Sequence, residues 1–392
     1  MRIAVVHDYF TQMGGAERVA QELVSILPGA TLHTTVALRD FLPAGLAGKK
    51  VVTSWMQYLP SMREYYRLYF PLYPLGIRSL DLSRYDLVVS STSGYAKAVR
   101  THPDAIHVCY CHTPMRWAWS LESYASREPS AMATRLLLPP MMHAMRKWDK
   151  RASNYPDHFV ANSRTVAARI QRVYGRTAQV IHPPIDTGRF RPSLEQEDYY
   201  LVLSRLISYK RIDLAINACA ALGRRLVVIG DGPERARLMA NAPATVTFLN
   251  RIPDAEVEHY AARCRALIFP GEEDFGMAPV ELAAAGRPTI AYRAGGATET
   301  IIDGVTGVFF DHQATADVIE AIERFEQKEW PAEVLRSHAE GFGSDVFKVR
   351  FREFLAQVGA PITDETETNP PQAKRARAFA PDLVGLTRGA TV

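Results

Sequence analysis

The sequence predicts an α/β protein built from two doubly wound domains, each with a parallel sheet between layers of helices. Short apolar runs that are typical of buried strands alternate along the chain with patterns of helical period. The alternation begins at residues 2–8 and begins again at residues 199–206, after a stretch of prolines and polar residues. With 392 residues, and roughly 150 per domain, the chain is long enough for two cores.

Each predicted strand is followed by a helical pattern. In the first half, strands are expected at 2–8, 30–36, 51–55, 86–90, 106–111 and 157–161, and helices at 14–27, 131–153 and 164–174. In the second half, strands are expected at 199–206, 225–229, 265–270 and 289–292, and helices at 211–222 and 278–285. The resulting boundaries are a first domain at 1–185, a second at 186–344, a final helix at 345–360 and a tail at 361–392. The tail lacks periodicity, and we expect it to be disordered.

Composition and charge describe an ordinary globular chain. Apolar residues make up 47% and charged residues 22%, and a net charge of +4 is too small to indicate nucleic acid as a partner. The four cysteines form no disulfide pattern, which favours a reducing compartment. The first strand begins at once without a signal-peptide core, and no apolar run approaches the ~20 residues of a membrane span. We therefore expect a cytoplasmic protein, or a peripheral one at the inner face of the membrane.

The stretch 271–281 contains the strongest site signal. It lies between a buried strand and a helix, which is where open α/β sheets bind ligands and where free backbone N–H groups attract anions. The loop places Glu273 beside such a ligand, and the helix places Glu281 there eight residues later. The alternative is that both carboxylates only stabilise the positive end of the helix. The free backbone N–H groups at the start of the helix, which would bind an anionic ligand, are those of Gly276, Met277 and Ala278.

Two other strand ends carry residues suited to phosphate. Arg205 closes its strand and Lys210 precedes the next helix, so both cations can converge on one phosphate group. Gly14 and Gly15 lie between the first strand and the first helix, where glycine lets the backbone approach a ligand closely. The alternative for Arg205 and Lys210 is that they are two exposed cations in a loop. The alternative for the glycine pair is a plain tight turn.

The strand at 106–111 is followed by His112, Arg116 and Trp117. The histidine and the arginine lie at the carboxyl end of this strand and are candidates for ligand contact, although a single histidine is commonly structural. A Cys/His metal site is not expected, because no further ligands lie at suitable spacing.

Residues 56–75 interleave tyrosine and phenylalanine with Arg63 and Arg67. Aromatic and cationic residues together suit a membrane interface or a lipid-bearing ligand. The alternative is a helix that packs its aromatic side chains inward and directs its arginines to solvent. The sequence leaves both interpretations open.

The residues above resemble the retaining GT-B glycosyltransferases of family GT4, and the resemblance covers nearly the whole chain before the tail. Glu273-Asp274-Phe275-Gly276 with Glu281 looks like the paired-glutamate signature of that family. Cys111-His112-Thr113-Pro114-Met115-Arg116 and Trp148-Asp149 are similar to a branch that includes O-antigen and exopolysaccharide mannosyltransferases. Six further stretches resemble the family in the expected order: Gly14-Gly15-Ala16-Glu17, Ala161-Asn162-Ser163, Ile181-His182-Pro183-Pro184-Ile185-Asp186, Ser204-Arg205-Leu206 with Lys210-Arg211, Gly230-Asp231-Gly232-Pro233, and Ala294-Gly295-Gly296.

The resemblance implies two Rossmann-like domains that face each other across a cleft, with the helix at 345–360 crossing back to the first. It implies a retaining transfer of sugar from a nucleotide-sugar donor, without a cofactor and by a same-face route with no covalent nucleophile. The absence of any Asp-x-Asp pair speaks against a metal-bridged diphosphate. The implied catalytic residues are Glu273, His112, Arg205 and Lys210. The implied donor-binding residues are Gly14, Gly15, Arg205, Lys210, Glu273, Phe275, Gly276, Met277, Ala278 and Glu281, and the acceptor-binding residues are Arg116 and Trp117.

By the same resemblance, Glu281 holds the ribose hydroxyls, Glu273 holds the sugar hydroxyls, and His112 faces the reacting centre from the other domain. GDP-mannose is the expected donor and a lipid-linked oligosaccharide the expected acceptor, in surface-polysaccharide biosynthesis. A UDP-sugar-dependent enzyme of the same fold is the alternative.

Three other classes of protein stay open. A nucleotide-sugar epimerase of the same architecture would turn over donor without an acceptor, although the paired-glutamate loop speaks against it. A glycogen-phosphorylase-like enzyme would show the absorbance band of a lysine-bound pyridoxal cofactor. A sugar-binding protein without activity would bind free sugar but no nucleotide.

Overall fold

The structure is a computed structural model that describes residues 1–46, 48–119 and 132–362. Within these ranges, the side chains of Trp117 and of residues 132–138 are outside the description. Residues 363–392, which make up most of the tail predicted to be disordered, also lie outside the described residues.

The first half of the chain forms a seven-stranded parallel sheet. Its strands are β1 Ile3–His7, β2 Thr31–Thr34, β3 Val51–Thr53, β4 Leu87–Thr92, β5 Ile106–Cys111, β6 His158–Ala161 and β7 Gln179–Val180. They lie in the order β3-β2-β1-β4-β5-β6-β7, so the order reverses beside β1 as in other doubly wound sheets. β1 and β4 are buried along their whole length, because helices cover both faces of the sheet.

The helices of this first lobe begin and end where local sequence dictates. They are α1 Gly15–Ile26, α2 Met62–Tyr65, α3 Tyr73–Arg78, α4 Arg116–Trp119, α5 Met132–Ala152 and α6 Arg164–Tyr174. α1 packs Val19 and Leu23 against the core of the sheet. α6 begins at Ser163, whose hydroxyl accepts the N–H of Val166 at 3.1 Å, and ends at Gly175, which takes the left-handed φ of 71°.

The second half forms a six-stranded parallel sheet, which we call the second lobe together with its helices. Its strands are β8 Tyr200–Leu203, β9 Leu226–Ile229, β10 Val246–Leu249, β11 Leu267–Phe269, β12 Thr289–Tyr292 and β13 Gly307–Phe310. Its helices are α7 Ile212–Ala221, α8 Arg235–Ala240, α9 Asp254–Arg263, α10 Met277–Ala284, α11 Ala297–Thr300, α12 Thr315–Glu326 and α13 Ala332–Glu340. The strand order β10-β9-β8-β11-β12-β13 reverses between β8 and β11, so the loops that follow these two strands are neighbours.

The last helix, α14 Ser344–Gln357, packs on the first lobe although it follows the second in sequence. Phe347 and Phe351 are buried in the core of the first lobe, and the ring of Phe347 lies 5.9 Å from that of Tyr110 on β5. Burial of one phenylalanine stabilises a fold by ~1.5–3 kcal/mol. This helix therefore ties the two lobes together by its own hydrophobic face.

Two local predictions differ from the structure. The strand predicted at 199–206 ends at Leu203, because the N–H of Leu206 turns to bond the carbonyl of Asp231. Arg205 therefore lies in the loop after the strand and not at its end.

Residues 56–75 do not form the single helix of the second interpretation, and their contact with a membrane or a lipid-bearing ligand stays a prediction. This region contains the single 3-10 turn Trp55–Tyr58 and the short helices α2 and α3. Tyr66, Tyr69 and Phe70, in the turns between α2 and α3, pack against the core, while Tyr58 and Leu68 are exposed. In the part of the chain that the structure describes, no helix combines the length and the apolar composition needed to cross a membrane.

Candidate active site

The loops after β8 and β11 touch at the carboxyl edge of the second sheet. The contact depends on Gly271, because a Cβ atom at this position would lie 2.7 Å from the Cα of Lys210. Gly276 takes a φ of 83° and precedes the first residue of α10, a conformation that a residue with a side chain adopts only with strain. Glycine at these two positions therefore brings the segment 205–210 and the loop 271–276 together.

The side chains of Lys210 and Glu273 form an ion pair within this contact. Burial lowers the pKa of Lys210 to about 7, the positive charges of Arg116 and Arg205 act in the same direction, and Asp274 opposes them. Arg205 itself is exposed to solvent. The structure thus brings together both cations predicted from the sequence, with Lys210 engaged by the first glutamate of the pair.

Glu281, the second glutamate, lies in α10 with only 9% of its surface exposed. Its carboxylate accepts from the guanidinium of Arg18 at 3.3 Å, across the cleft on α1. Burial raises the pKa of Glu281, while the charges of Arg18 and Arg189 lower it. The buried carboxylate is therefore bound by a cation of the first lobe, and the charge of Arg189 in the second lobe favours its ionised form.

His112 follows β5 on the first lobe and is buried. Its Nε2 lies 2.8 Å from the hydroxyl of Ser91, which also lies 3.2 Å from Nδ1 of His7. Burial, and then the neighbouring His7, lower the pKa of His112 to about 3. His112 is therefore neutral near pH 7, so it can contact a ligand through hydrogen bonds but not through a positive charge.

The glycine pair of the first lobe lies against the helix that carries Glu281. A Cβ atom on Gly15 would lie 2.4 Å from the sulfur of Met277, so a side chain at this position would require the methionine side chain to move. Gly14 is extended and precedes the first residue of α1. The amino ends of α1 and α10 thus meet across the cleft.

The described residues contain no group of three or more His, Cys, Asp or Glu side chains that could hold a metal ion. The polar groups of the cleft are cations, carboxylates and neutral histidines.

Sequence comparison assigns both halves of the chain to glycosyltransferases. Residues 13–189 match the family described as Glycosyltransferase Family 4, and residues 186–343 match the one described as Glycosyl transferases group 1. The chain belongs to glycosyltransferase family 4. The predicted resemblance to this family is confirmed, and both matching family descriptions are of glycosyltransferases.

The relatives of this family 4 chain include two kinds of mycobacterial glycosyltransferase. A GDP-mannose-dependent α-(1-6)-phosphatidylinositol monomannoside mannosyltransferase of Mycolicibacterium smegmatis is 31% identical over 207 residues, 45% of this chain and 53% of that protein. A D-inositol 3-phosphate glycosyltransferase of Mycobacterium sp. strain JLS is 23% identical over 74% of this chain and 75% of that protein. The matched part of the chain thus spans about half the length of the first of these relatives.

Solved structures share the architecture. Anabaena Alr3699/HepE, in complex with UDP and glucose, has a TM-score of 0.67 and 18% identity over 91% of this chain and 99% of that one. A sucrose-phosphate synthase from Thermosynechococcus elongatus has a TM-score of 0.68 and 15% identity over the same shares of the two chains. The predicted α/β fold of the GT-B type is confirmed.

Some residues expected to contact ligand have protein partners in this family 4 chain. The ring of Phe275 is buried, 5.4 Å from the ring of His182. Arg116 forms an ion pair with Asp274 at 3.0 Å and lies over the ring of Tyr209. The backbone of Trp117 lies in α4, and its side chain is outside the description.

Sequence reasoning missed the residues that join the two lobes. Asp274 lies inside a quoted motif and Arg18 directly follows another, but the sequence assigned no role to either. Arg169 of α6 also contacts Asp274, and no local pattern distinguishes it from the other arginines of its helix. Its partner lies 105 residues away in the sequence, so covariation between related sequences is the signal that could have found it.

Proposed function

We propose that this chain is a retaining, metal-independent glycosyltransferase that moves a sugar from a nucleotide-sugar donor to a glycan acceptor. The proposal rests above all on one arrangement: Glu273 and Glu281 flank the amino end of α10, with Lys210 and Arg205 beside them. In this proposal the first lobe, residues 1–185, binds the acceptor, and residues 186–344 bind the donor. The helix at 345–360 connects them.

The proposed chemistry follows the charge that develops as the glycosidic bond breaks. Negative charge grows on the departing diphosphate, and Arg205, Lys210 and the free N–H groups at the start of α10 stabilise it. Glu281 binds the ribose, with nearly equal strength before and during the reaction. Glu273 and the neutral His112 orient the sugar, and the acceptor hydroxyl attacks on the face from which the diphosphate leaves.

Donor binding has to exchange the ion pair between Lys210 and Glu273. The diphosphate takes over Lys210, and the hydroxyls of the sugar take over Glu273. Each partner of the pair thereby receives a ligand group of suitable charge or hydrogen-bonding capacity. The neighbouring Gly14 and Gly15 let the first lobe close over the phosphates.

For the donor we propose GDP-mannose, with a UDP-sugar as the alternative. The GDP-mannose dependence of the Mycolicibacterium relative supports the first, and the Anabaena structures in complex with UDP and with UDP-glucose support the second.

The test is a thermal-shift panel of GDP, UDP, GDP-mannose and UDP-sugars, because a ligand that binds only the folded state raises the melting temperature. We expect GDP and GDP-mannose to stabilise the protein most. Stabilisation by UDP but not by GDP would make a UDP-sugar the donor instead of GDP-mannose. Formation of a new nucleotide sugar in the absence of an acceptor would favour an epimerase.

For the acceptor we propose a lipid-linked oligosaccharide presented at the cytoplasmic face of the membrane. Residues 55–75 contain several exposed large apolar side chains, and we call this stretch the aromatic patch. These side chains are Trp55, Tyr58, Tyr65, Leu68 and Leu75. Arg63 and Arg67 lie among them, and the ion pair of Arg63 with Asp40 is exposed and therefore weak. Such a surface suits reversible binding to anionic lipid headgroups.

The patch predicts binding to liposomes of anionic phospholipid that weakens with salt. Each basic residue near such a surface contributes about 1 kcal/mol. The double variant Arg63→Glu and Arg67→Glu is therefore expected to bind at least about tenfold more weakly in a sedimentation assay. Arg225→Glu, at an exposed position at the amino edge of the second sheet, is the matched control. Unchanged liposome binding, with unchanged activity on a lipid-linked acceptor, would rule out this role of the patch.

A further inference from the structure

The carboxylate of Asp274, directly after Glu273, binds two arginines of the other lobe. Arg116 at the start of α4 lies 3.0 Å from Oδ1, and Arg169 of α6 contacts the same oxygen. Arg169 also donates to the hydroxyl of Thr113 at 2.8 Å, next to His112. The loop that carries Glu273 is therefore bound to the first lobe through Asp274, the residue that follows Glu273.

The backbone of the same loop is held by the beginning of α6. The hydroxyl of Ser163 donates to the carbonyl of Asp274 at 2.5 Å. Beside it, Glu299 of α11 accepts from the backbone N–H groups of Arg164 and Thr165 at 2.8 and 3.1 Å. The start of α6 thus binds both the loop that contains Asp274 and helix α11 of the second lobe.

These contacts are shielded from water, which makes them strong and specific. The side chains of Arg116, Arg169 and Asp274 are 17%, 13% and 17% exposed. Charge-assisted hydrogen bonds of buried guanidinium groups are about twice as strong as neutral ones, and removal of the carboxylate leaves two buried cations without it. The loop therefore cannot move relative to the first lobe without losing this interaction.

We propose that Asp274 is a positioning residue. Its ion pairs with Arg116 and Arg169 fix the loop so that Glu273 contacts the donor sugar in the reactive orientation. The inference rests on the proposed function, because Glu273 is taken as the group that orients the sugar. The Glu273 carboxylate needs the first lobe in place, so the site is complete only when the lobes are joined. A misplacement of about 1 Å is enough to cost ~10²-fold in rate.

Steady-state kinetics of Asp274→Asn test this directly. Asparagine keeps the shape but removes the charge, so we expect kcat to fall about 10- to 100-fold while the donor KM changes less than about threefold. Arg169→Ala is expected to lower kcat in the same way. The double variant of Asp274→Asn with Arg169→Ala is expected to lose no more kcat than the more affected single variant, because both substitutions break the same interaction. Arg169→Lys keeps the charge and is expected to recover part of kcat. Glu272→Gln, an exposed neighbour in the same loop, is the control.

The outcomes separate this inference from the proposed function. A wild-type protein that turns over no nucleotide sugar would overturn both. If the wild type is active but Asp274→Asn keeps its kcat, or if this variant shows only a higher donor KM, the positioning role alone is overturned. If Asp274→Asn fails to fold, the pair Arg169→Ala and Arg169→Lys decides: equal kcat values in these two variants would contradict the proposal.

Discussion

Arg205→Ala is expected to lower kcat by roughly 10²–10³, the scale of removing one preorganised donor to a developing charge. Arg205 lies in the loop after β8, close enough for its charge to lower the pKa of Lys210. Both cations therefore act on one region, where the account places the departing diphosphate. Since this charge grows during the reaction, the loss affects the transition state more than the bound donor, and KM changes less than kcat.

A folding defect is not expected to contribute to this loss. Arg205 is exposed, so its removal opens no cavity, and circular dichroism should show an unchanged melting curve. Arg225→Ala is the matched control, because this exposed arginine lies at the opposite, amino edge of the same sheet. Full kcat in Arg205→Ala would remove the arginine from the proposed chemistry.

Asp149→Ala is expected to lower the free energy of unfolding by about 3–5 kcal/mol, the cost of breaking a buried ion pair. Asp149 of α5 lies 2.5 Å from Nζ of Lys97, and both side chains are 1% exposed or less. Trp119 and Tyr174 each donate to its second oxygen at 2.7 Å. Burial lowers the pKa of Lys97, but Asp149 outweighs burial and raises it overall. Loss of Asp149 leaves this lysine as an uncompensated charge in the first lobe.

Equilibrium unfolding in urea measures this effect, with Asp104→Ala as the control because that side chain is 92% exposed. Replacement of both partners, Lys97→Met with Asp149→Leu, should recover much of the stability, since no buried charge is then left unpaired. A loss below 1 kcal/mol in Asp149→Ala would contradict a structural role for the pair. The same network also positions Trp119, whose indole N–H donates to Asp149.

The fold was predictable because its signals are local. β5, α6 and β12 have the predicted bounds, since each is a short buried or amphipathic run between turn residues. The end of β8 was predicted wrongly, because the hydrogen bond of Leu206 to Asp231 is a tertiary contact that local pattern does not contain. Residues 56–75 were ambiguous for a similar reason, since which aromatic rings pack inward depends on the neighbouring core.

Local sequence selects the candidate residues of the site but not their partners. Glu273, Glu281 and Lys210 were selected from their positions near strand and helix ends, and their roles stay predictions. The pair of Arg18 with Glu281 joins residues 263 positions apart, and nothing in either local sequence specifies it. Lys210 was expected to bind a phosphate group or to be an exposed loop cation. The structure buries it and pairs it with Glu273, because the close contact at Gly271 brings the two loops together.

The central claim is that Glu273 orients the donor sugar and Glu281 only binds the nucleotide. Steady-state kinetics of Glu273→Gln and Glu281→Gln, measured side by side with circular dichroism as the folding check, test it most directly. The account predicts a fall in kcat of about 10² for Glu273→Gln, because the reacting sugar loses its orientation. For Glu281→Gln it predicts a rise in donor KM of about tenfold with kcat nearly unchanged, the pattern of a contact made equally in both states. Full kcat in Glu273→Gln would contradict the account and leave this loop as scaffolding.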